Sequence, residues 1–500
     1  MTKVFSRRAF LSLSVASLGT SVLAEAPSRS LRPVLRPAGV KTKSVPASAP
    51  ALDVLIRDSG LSGKVSCAVA RMGDGAVLEA HQATTGLPPA SATKALTALY
   101  ALHYLGPSHR FLTSLVAVGK ISNGVLRGDL VLRGGGDPTL NTNGLADLAR
   151  TLKAAGVREV TGQFLVWGGA LPSTKRIDKK QPDHAGYNPA VSGVALNYNR
   201  VHFEWKRGAN GYAVSMDGRS DKYRPEVDVA RMKIAKRSVP VYTYKSQNGR
   251  DHWTVASGAL GKGGARWLPM RQPEIYAGEV FRTLARAHGI VLKAPKQTQN
   301  APRGAVLARR QSPALREILK GMLKYSTNLT AEMVGMAASQ ARGAQPNSVK
   351  ASAAAMNAWA AEALGMPHAA LVDHSGLGEA SKLRADEMAL MLAQAGQHAV
   401  LRPILKDISL RDANGKVNKG HPLKVNAKTG TLHFVSALAG YVATPDGREL
   451  AFAIFAADQK SRDRLIGPDR ERPQGARTYN GRAKKLQQKL IERWGTVYGA

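Results

Sequence analysis

Ser91-Ala92-Thr93-Lys94, running directly into Ala95-Leu-Thr-Ala-Leu-Tyr-Ala-Leu-His-Tyr-Leu105, is the stretch on which the fold turns. Pro88-Pro89 precede it and Gly106-Pro107 end it, so the pattern predicts a buried apolar helix that begins at the serine. A serine at a helix N-terminus and a lysine one turn later share one face. The amine can take the serine proton, and the helix dipole favours the negative charge that results. No other Ser-x-x-Lys occurs in the chain. Four-residue patterns with two free positions also arise by chance, so the motif needs company.

Two later stretches supply it. Tyr325-Ser326-Thr327-Asn328 lies in a short break between two expected helices and gives Ser-x-Asn; helix capping by Ser326 and Asn328 is the alternative. Lys428-Thr429-Gly430-Thr431 precedes expected strands. A lysine and a threonine on an edge strand can bind a carboxylate, one by charge and one by its hydroxyl. Gly430 leaves room where a substrate backbone must approach, and the Thr431 amide can help to stabilise an oxyanion. The alternative for Lys428 is a solvent-facing charge that guards a sheet edge. A second Ser-x-Asn, Ser246-Gln247-Asn248, is followed by Gly249 and reads as a hairpin turn.

The rest of the chain organises around these motifs. Strands are expected at about 64–71 and 76–82, and again at 423–431, 436–444 and 449–456, which together can form one antiparallel sheet. Helices are expected at 313–325, 329–341, 348–364, 384–395 and 476–494. Between about 113 and 299 the texture changes to short strand-like runs with glycine turns, plus helices at 143–155, framed by Asn143 and Gly156, and at 276–289. The prediction is an α/β (α+β) core of residues 51–112 and 300–500, a five-stranded antiparallel sheet flanked by helices, with the β-rich block 113–299 inserted.

Length and composition agree with a multidomain globular chain. The formal charge is +36. Such a field attracts polyanions, but no zinc-finger spacing, RNA-recognition signature or basic zipper accompanies it, and the cations are spread along the chain; nucleic acid is not an expected partner. A solvated basic surface is one reading, an anionic polymer or membrane surface the other. Cys67 is the only cysteine, within a strand-like run, and reads as core. Ser6-Arg7-Arg8-Ala9-Phe10-Leu11 and the apolar run to Leu23 read as an export signal, residues 1–26, with a twin-arginine pair. An ordinary Sec signal is the alternative. Cleavage falls after Ala24 or Ala26; the later site removes three basic residues and one acidic residue and leaves +34. Residues 27–50, rich in Pro, Ser, Ala and cations, read as a disordered leader. No further run is long and apolar enough to span a bilayer, so the mature chain is expected to be periplasmic, without a membrane segment.

Ser-x-x-Lys, Ser-x-Asn and Lys-Thr-Gly in this order are the set found in penicillin-binding proteins and class A β-lactamases. From about residue 51 to its end the chain resembles the low-molecular-mass penicillin-binding proteins of the D-alanyl-D-alanine carboxypeptidase/endopeptidase family, the type-4 kind. Gly128-Asp-Leu-Val-Leu-Arg-Gly-Gly-Gly-Asp-Pro-Thr-Leu140, Asp373-His-Ser-Gly-Leu377 and Leu438-Ala-Gly-Tyr441 add to the likeness. The long separation of Ser91 from Ser326 fits a family whose gap holds two inserted domains. The resemblance implies Ser91 as nucleophile, Lys94 as acylation base, Ser326 as proton relay and Asn328 as partner of substrate backbone and lysine. It implies Lys428 and Thr429 as carboxylate anchors, and the amides of Ser91 and Thr431 as oxyanion hole beside Gly430. Asp183 and Tyr187 fall in the window of a side-chain pocket, with a surface turn after Pro182 as the alternative for Asp183. Gly378-Glu379 depart from the serine and basic residue often found there. The implied partners are peptidoglycan stem peptides, with β-lactam antibiotics as covalent inhibitors; no cofactor and no metal are expected. A serine β-lactamase and a non-catalytic wall-binding protein are the competing functions.

Overall fold

The computed structural model describes residues 49–471 and 473–499; the expected export segment and nearly all of the expected leader lie outside them. Within Lys64–Arg71 every residue between the two ends is buried, the pattern of a strand covered on both faces. It pairs antiparallel with Val77–His81 on one side and Glu449–Ala457 on the other. Val435–Ala443, Lys424–Leu432 and Lys406–Asp407 follow in that order, so the front and back of the chain share one antiparallel sheet. It has six strands, not the expected five. The extra one, Lys406–Asp407, pairs only with Ala427 and Asn426, and two residues are too few to carry a periodic signal.

The two-residue period of the strands sorts the core. Val65, Cys67 and Val69 lie on one face with Leu438, Phe452 and Ile454, beneath Leu486, Leu490, Ile491 and Trp494 of the C-terminal helix Ala476–Tyr498. Cys67 is fully buried there, and burial pushes its thiol up to about 12, as befits a core residue. Ala68, Ala70, Ala437, Ala439, Ala451 and Ala453 form the opposite face, with Ala95, Leu96 and Leu99 of the helix Thr93–Leu105 and Met388, Ala389 and Leu392 of the helix Ala385–Ala393. Thr93–Leu105 is buried from Thr93 to Ala101, which explains its lack of a polar stripe.

The β-rich block carries three sheets. The largest contains Leu112–Ser122, Val125–Gly134, Phe164–Trp167, Pro295–Thr298 and Ala305–Gln311, with Glu159–Val160 beside the second of these. Ala305–Gln311 pairs antiparallel with Leu112–Ser122, so the block closes at Gln311 rather than at 299. The three sheets and the helices Thr142–Ala154 and Pro273–Ala287 contribute to one contiguous buried cluster. Thr142–Ala154 is capped by the Asn141 side chain, which accepts from Gly144 N, rather than framed by Asn143; Asn143 donates to Asp221 instead. The Ser246–Gly249 reading holds: Tyr242–Gln247 and Arg250–Ala256 pair antiparallel around Asn248 and Gly249, both at positive φ. The block reaches the core through Leu171, Val191 and Ala195, packed on Leu329, Met333 and Met336 of the helix Asn328–Ala341.

Candidate active site

Ser91 lies in a 3-10 turn, Ala90–Ala92, that feeds straight into Thr93–Leu105. Ala90 stands at φ 45, a strained conformation for a residue with a side chain. Lys94 Nζ lies 2.9 Å from Ser91 Oγ, and also donates to Asn328 Oδ1 at 2.7 Å and to the Ser375 carbonyl at 2.8 Å. Lys94 is fully buried. Burial pushes its amine down to about 7, against Glu332 and Asp373, which favour the charged form. An amine there can release its proton near neutral pH and take one from a neighbouring hydroxyl.

Leu315–Tyr325 ends where Ser326 turns left-handed, at φ 58 and ψ 40, and Asn328–Ala341 begins two residues on. That conformation is unfavourable for serine, and it places Ser326 Oγ 3.0 Å from Lys428 Nζ. The Asn328 amide is fixed from both sides: its oxygen accepts from Lys94, and its nitrogen donates to the Tyr187 carbonyl of the inserted block at 2.9 Å. Helix capping by their side chains, the alternative for this pair, is not observed: neither helix end carries a side-chain cap there.

Lys428 does not guard a sheet edge. It is 1% exposed, and burial, followed by the charges of Lys94 and Lys406, lowers its amine well below the ordinary lysine range. It donates to Ser326 Oγ and to the Thr429 carbonyl. Thr429 and Thr431 are exposed. The place of Gly430 has a reason within the protein: a Cβ there would stand 2.7 Å from the Pro89 carbonyl and 2.9 Å from Ser91 N. The strand thus presses directly on the turn that carries Ser91.

These groups open on a cleft of about 430 Å³, lined among others by Ser91, Ser326, Asn328, Thr431, Tyr187 and Glu379. Glu379, where the sequence departs from the expected basic residue, is clasped by Lys180 at 3.1 Å, Arg470 at 2.9 Å and Arg462 at 3.7 Å. Three cations about one carboxylate leave this wall positive. Tyr187 lines the cleft, with its hydroxyl donating to Gln181. Asp183 is not among the lining residues: its carboxylate pairs with Arg176 at 2.6 Å and its carbonyl accepts from Arg271, so it ties down its own loop. Glu332 escapes the motifs, although a lone charge in an otherwise uncharged helix sequence marks it. Among the described residues no group of three or more potential ligands is placed to hold a metal, and no helix is long and apolar enough to cross a membrane.

The sequence profile of the D-Ala-D-Ala carboxypeptidase 3 (S13) family matches residues 48–471. The chain belongs to this family. It is 28% identical over 447 residues to a D-alanyl-D-alanine carboxypeptidase of Actinomadura sp. (strain R39), covering 81% of this chain and 79% of that protein. It is 23% identical over 397 residues to D-alanyl-D-alanine carboxypeptidase DacB of Haemophilus influenzae, covering 76% and 82%. The crystal structure of penicillin binding protein 4 (dacB) from Haemophilus influenzae matches with a TM-score of 0.72 at 20% identity, over 88% of this chain and 99% of that chain. That likeness establishes the fold, and the family and fold implied by the three motifs are those found. Membership makes the chain a peptidase of the D-Ala-D-Ala carboxypeptidase kind.

Proposed function

We propose that this family member is an exported, periplasmic serine DD-carboxypeptidase and DD-endopeptidase. It acts on D-Ala-D-Ala stem peptides and on D-Ala cross-links of peptidoglycan through an acyl-enzyme. The observation that carries this reading is the pair of hydrogen-bonded couples, Ser91 with Lys94 and Ser326 with Lys428, facing one cleft. Ser91 Oγ attacks the carbonyl of the penultimate D-alanine while its proton passes to the neutral Lys94 amine. The amides of Ser91 and Thr431 receive the developing oxyanion. Lys428 and Thr429, beside Gly430, hold the terminal carboxylate. Ser326, hydrogen-bonded to Lys428, relays a proton to the departing amine, which is D-alanine or the amine of a cross-link. Water then cleaves the ester and frees Ser91. Asn328, held by Lys94 and Tyr187, has an amide in reach of the substrate backbone.

The Haemophilus protein has been crystallised in complex with a β-lactam. A ring amide opened by Ser91 would leave the same kind of ester here, and β-lactams are the expected covalent inhibitors. The test is digestion of purified cross-linked peptidoglycan, with the released muropeptides identified by mass. Loss of terminal D-alanine and cleavage of dimers into monomers are both expected, and neither should occur with Ser91→Ala. Rapid turnover of penicillin, in place of a persistent acyl-enzyme, would favour a β-lactamase instead.

A further inference from the structure

Glu332 is fully buried on the helix Asn328–Ala341, one turn beyond Asn328. Its Oε2 accepts the His374 N–H and its Oε1 the Ser375 N–H, both at 3.0 Å. The carbonyl of that same Ser375 is one of the three acceptors around Lys94 Nζ. Asp373 also acts on this loop, accepting from the amides of Gly376 at 2.6 Å and Gly378 at 2.5 Å. The opposite side of the segment is tightly packed. Gly376 stands at φ 74, where a Cβ would lie 1.8 Å from the Ala90 carbonyl; a Cβ on Gly335 would lie 2.2 Å from the His374 ring. The 373–378 segment is therefore gripped between the turn that carries Ser91 and the helix that carries Asn328.

We propose that Glu332 is a positioning residue for Lys94: by holding the Ser375 peptide it fixes the lysine between Ser91 and Asn328, and by its charge it sets the pH at which the lysine becomes a base. The proposal rests on the reading of Lys94 as the acylation base. The groups facing Lys94 can be taken element by element. Its own turn supplies neutral Ser91; the helix Asn328–Ala341 supplies Asn328 and Glu332; the 373–378 segment supplies Asp373, His374 and the Ser375 carbonyl; the strand Lys424–Leu432 supplies Lys428. His374 contributes no charge, because burial pushes its ring down to about 3. Glu332 and Asp373 favour the ammonium; burial opposes it. Burial, and then Asp373, push the Glu332 carboxyl up, while its two backbone donors and Lys94 pull it back. Two oxygens that both accept N–H bonds are the arrangement of the anion.

Glu332→Gln keeps the shape but removes the charge and turns an amide nitrogen toward one of the two backbone donors. The measurement is the rate of acylation by a fluorescent penicillin, together with kcat/KM for a D-Ala-D-Ala peptide, across pH 5–10, with rates referred to the penicillin-titratable fraction. The expected result is a fall of roughly ten-fold or more at the optimum, as for a displaced catalytic group. The acid limb should move to lower pH by about half a unit or more, because loss of a nearby negative charge disfavours the ammonium. Glu332→Asp retains the charge but is too short to span both amides; its limb should stay in place while its rate falls. Wild-type rates in Glu332→Gln, or a uniform fall with an unmoved limb, would overturn the proposal. Should Glu332→Gln not fold, Glu332→Asp decides: a wild-type rate there overturns it. Acylation that survives Ser91→Ala or Lys94→Ala would instead overturn the parent reading.

Discussion

Gly430→Ala adds one methyl group where the strand Lys424–Leu432 crosses the Ser91 turn. An ideal Cβ there would meet the Pro89 carbonyl at 2.7 Å, Ser91 N at 2.9 Å and the Ala90 Cβ at 3.0 Å. The first two neighbours are backbone atoms and cannot swing away. Carbon contacts settle near 3.5–4.0 Å, so strand and turn must part by roughly 0.5–1 Å. Overpacking of this kind costs about 1–3 kcal/mol, and the melting temperature should fall by a few degrees. The catalytic cost should be larger than that. The two amides assigned to the oxyanion belong to Ser91 and Thr431, one on each side of the widened gap, and loss of one such donor lowers kcat by about 10²–10³. The assay is D-alanine release from a D-Ala-D-Ala peptide, with fluorescent-penicillin acylation alongside. Gly481→Ala is the control: it lies in the helix Ala476–Tyr498 with nothing within 4 Å of its Cβ. It should gain about 0.5–1 kcal/mol of stability and keep full activity. Wild-type acylation by Gly430→Ala with an unchanged melting temperature would show that the strand does not bear on the turn. A lowered melting temperature with unchanged acylation would remove the two amides from the chemistry.

Ser91→Ala should abolish peptide hydrolysis and covalent penicillin labelling together, since Ser91 Oγ is the hydroxyl hydrogen-bonded to Lys94; retained labelling would exclude this serine. Lys428→Met should lower kcat/KM for peptide by roughly 10² or more through loss of the carboxylate anchor. Catalytically inactive Ser91→Ala should co-sediment with purified sacculi at low salt, aided by Arg477, Arg482, Lys484, Lys485 and Lys489, all exposed on the C-terminal helix. Free carboxylates on stem peptides are the partner charges, and screening beyond about 8–10 Å at 0.1–0.15 M salt should release the protein as salt rises; binding indifferent to salt would count against it.

Much of the fold is legible because its strands and helices obey simple periods. Lys64–Arg71, Val435–Ala443 and Glu449–Ala457 read as apolar runs because both of their faces are covered, and these three strands and the more polar Lys424–Leu432 each lie within a residue or two of their expected places. Two things do not show. Lys406–Asp407 joins the sheet by pairing alone, without a pattern of its own. Ala305–Gln311 alternates weakly, and nothing local says that it pairs with Leu112–Ser122, almost two hundred residues earlier, rather than with the core.

At the site, the three motifs name residue types and an order, but not what surrounds them. A lysine on an apparent edge strand looks solvated; only the tertiary fold buries Lys428 against Ser326 and brings the charge of Lys94 to bear on it. Asp183 and Tyr187 lie four positions apart in one loop, yet only Tyr187 reaches the cleft, because Arg176 takes the aspartate. The charge pattern is the deeper reason. Lys94 and Lys428 are both buried amines, and the charge of Lys94 lowers Lys428 beyond what burial does. Glu332 and Asp373 favour the charged form of Lys94, from a helix and a loop apart in sequence. Each carboxylate is in turn held by two backbone amides, so the electrostatics of the lysine and the path of the 373–378 segment are one arrangement. A substitution at either carboxylate should therefore change geometry and proton affinity together, which is why the shift of the acid limb, and not the loss of rate alone, tells the two effects apart.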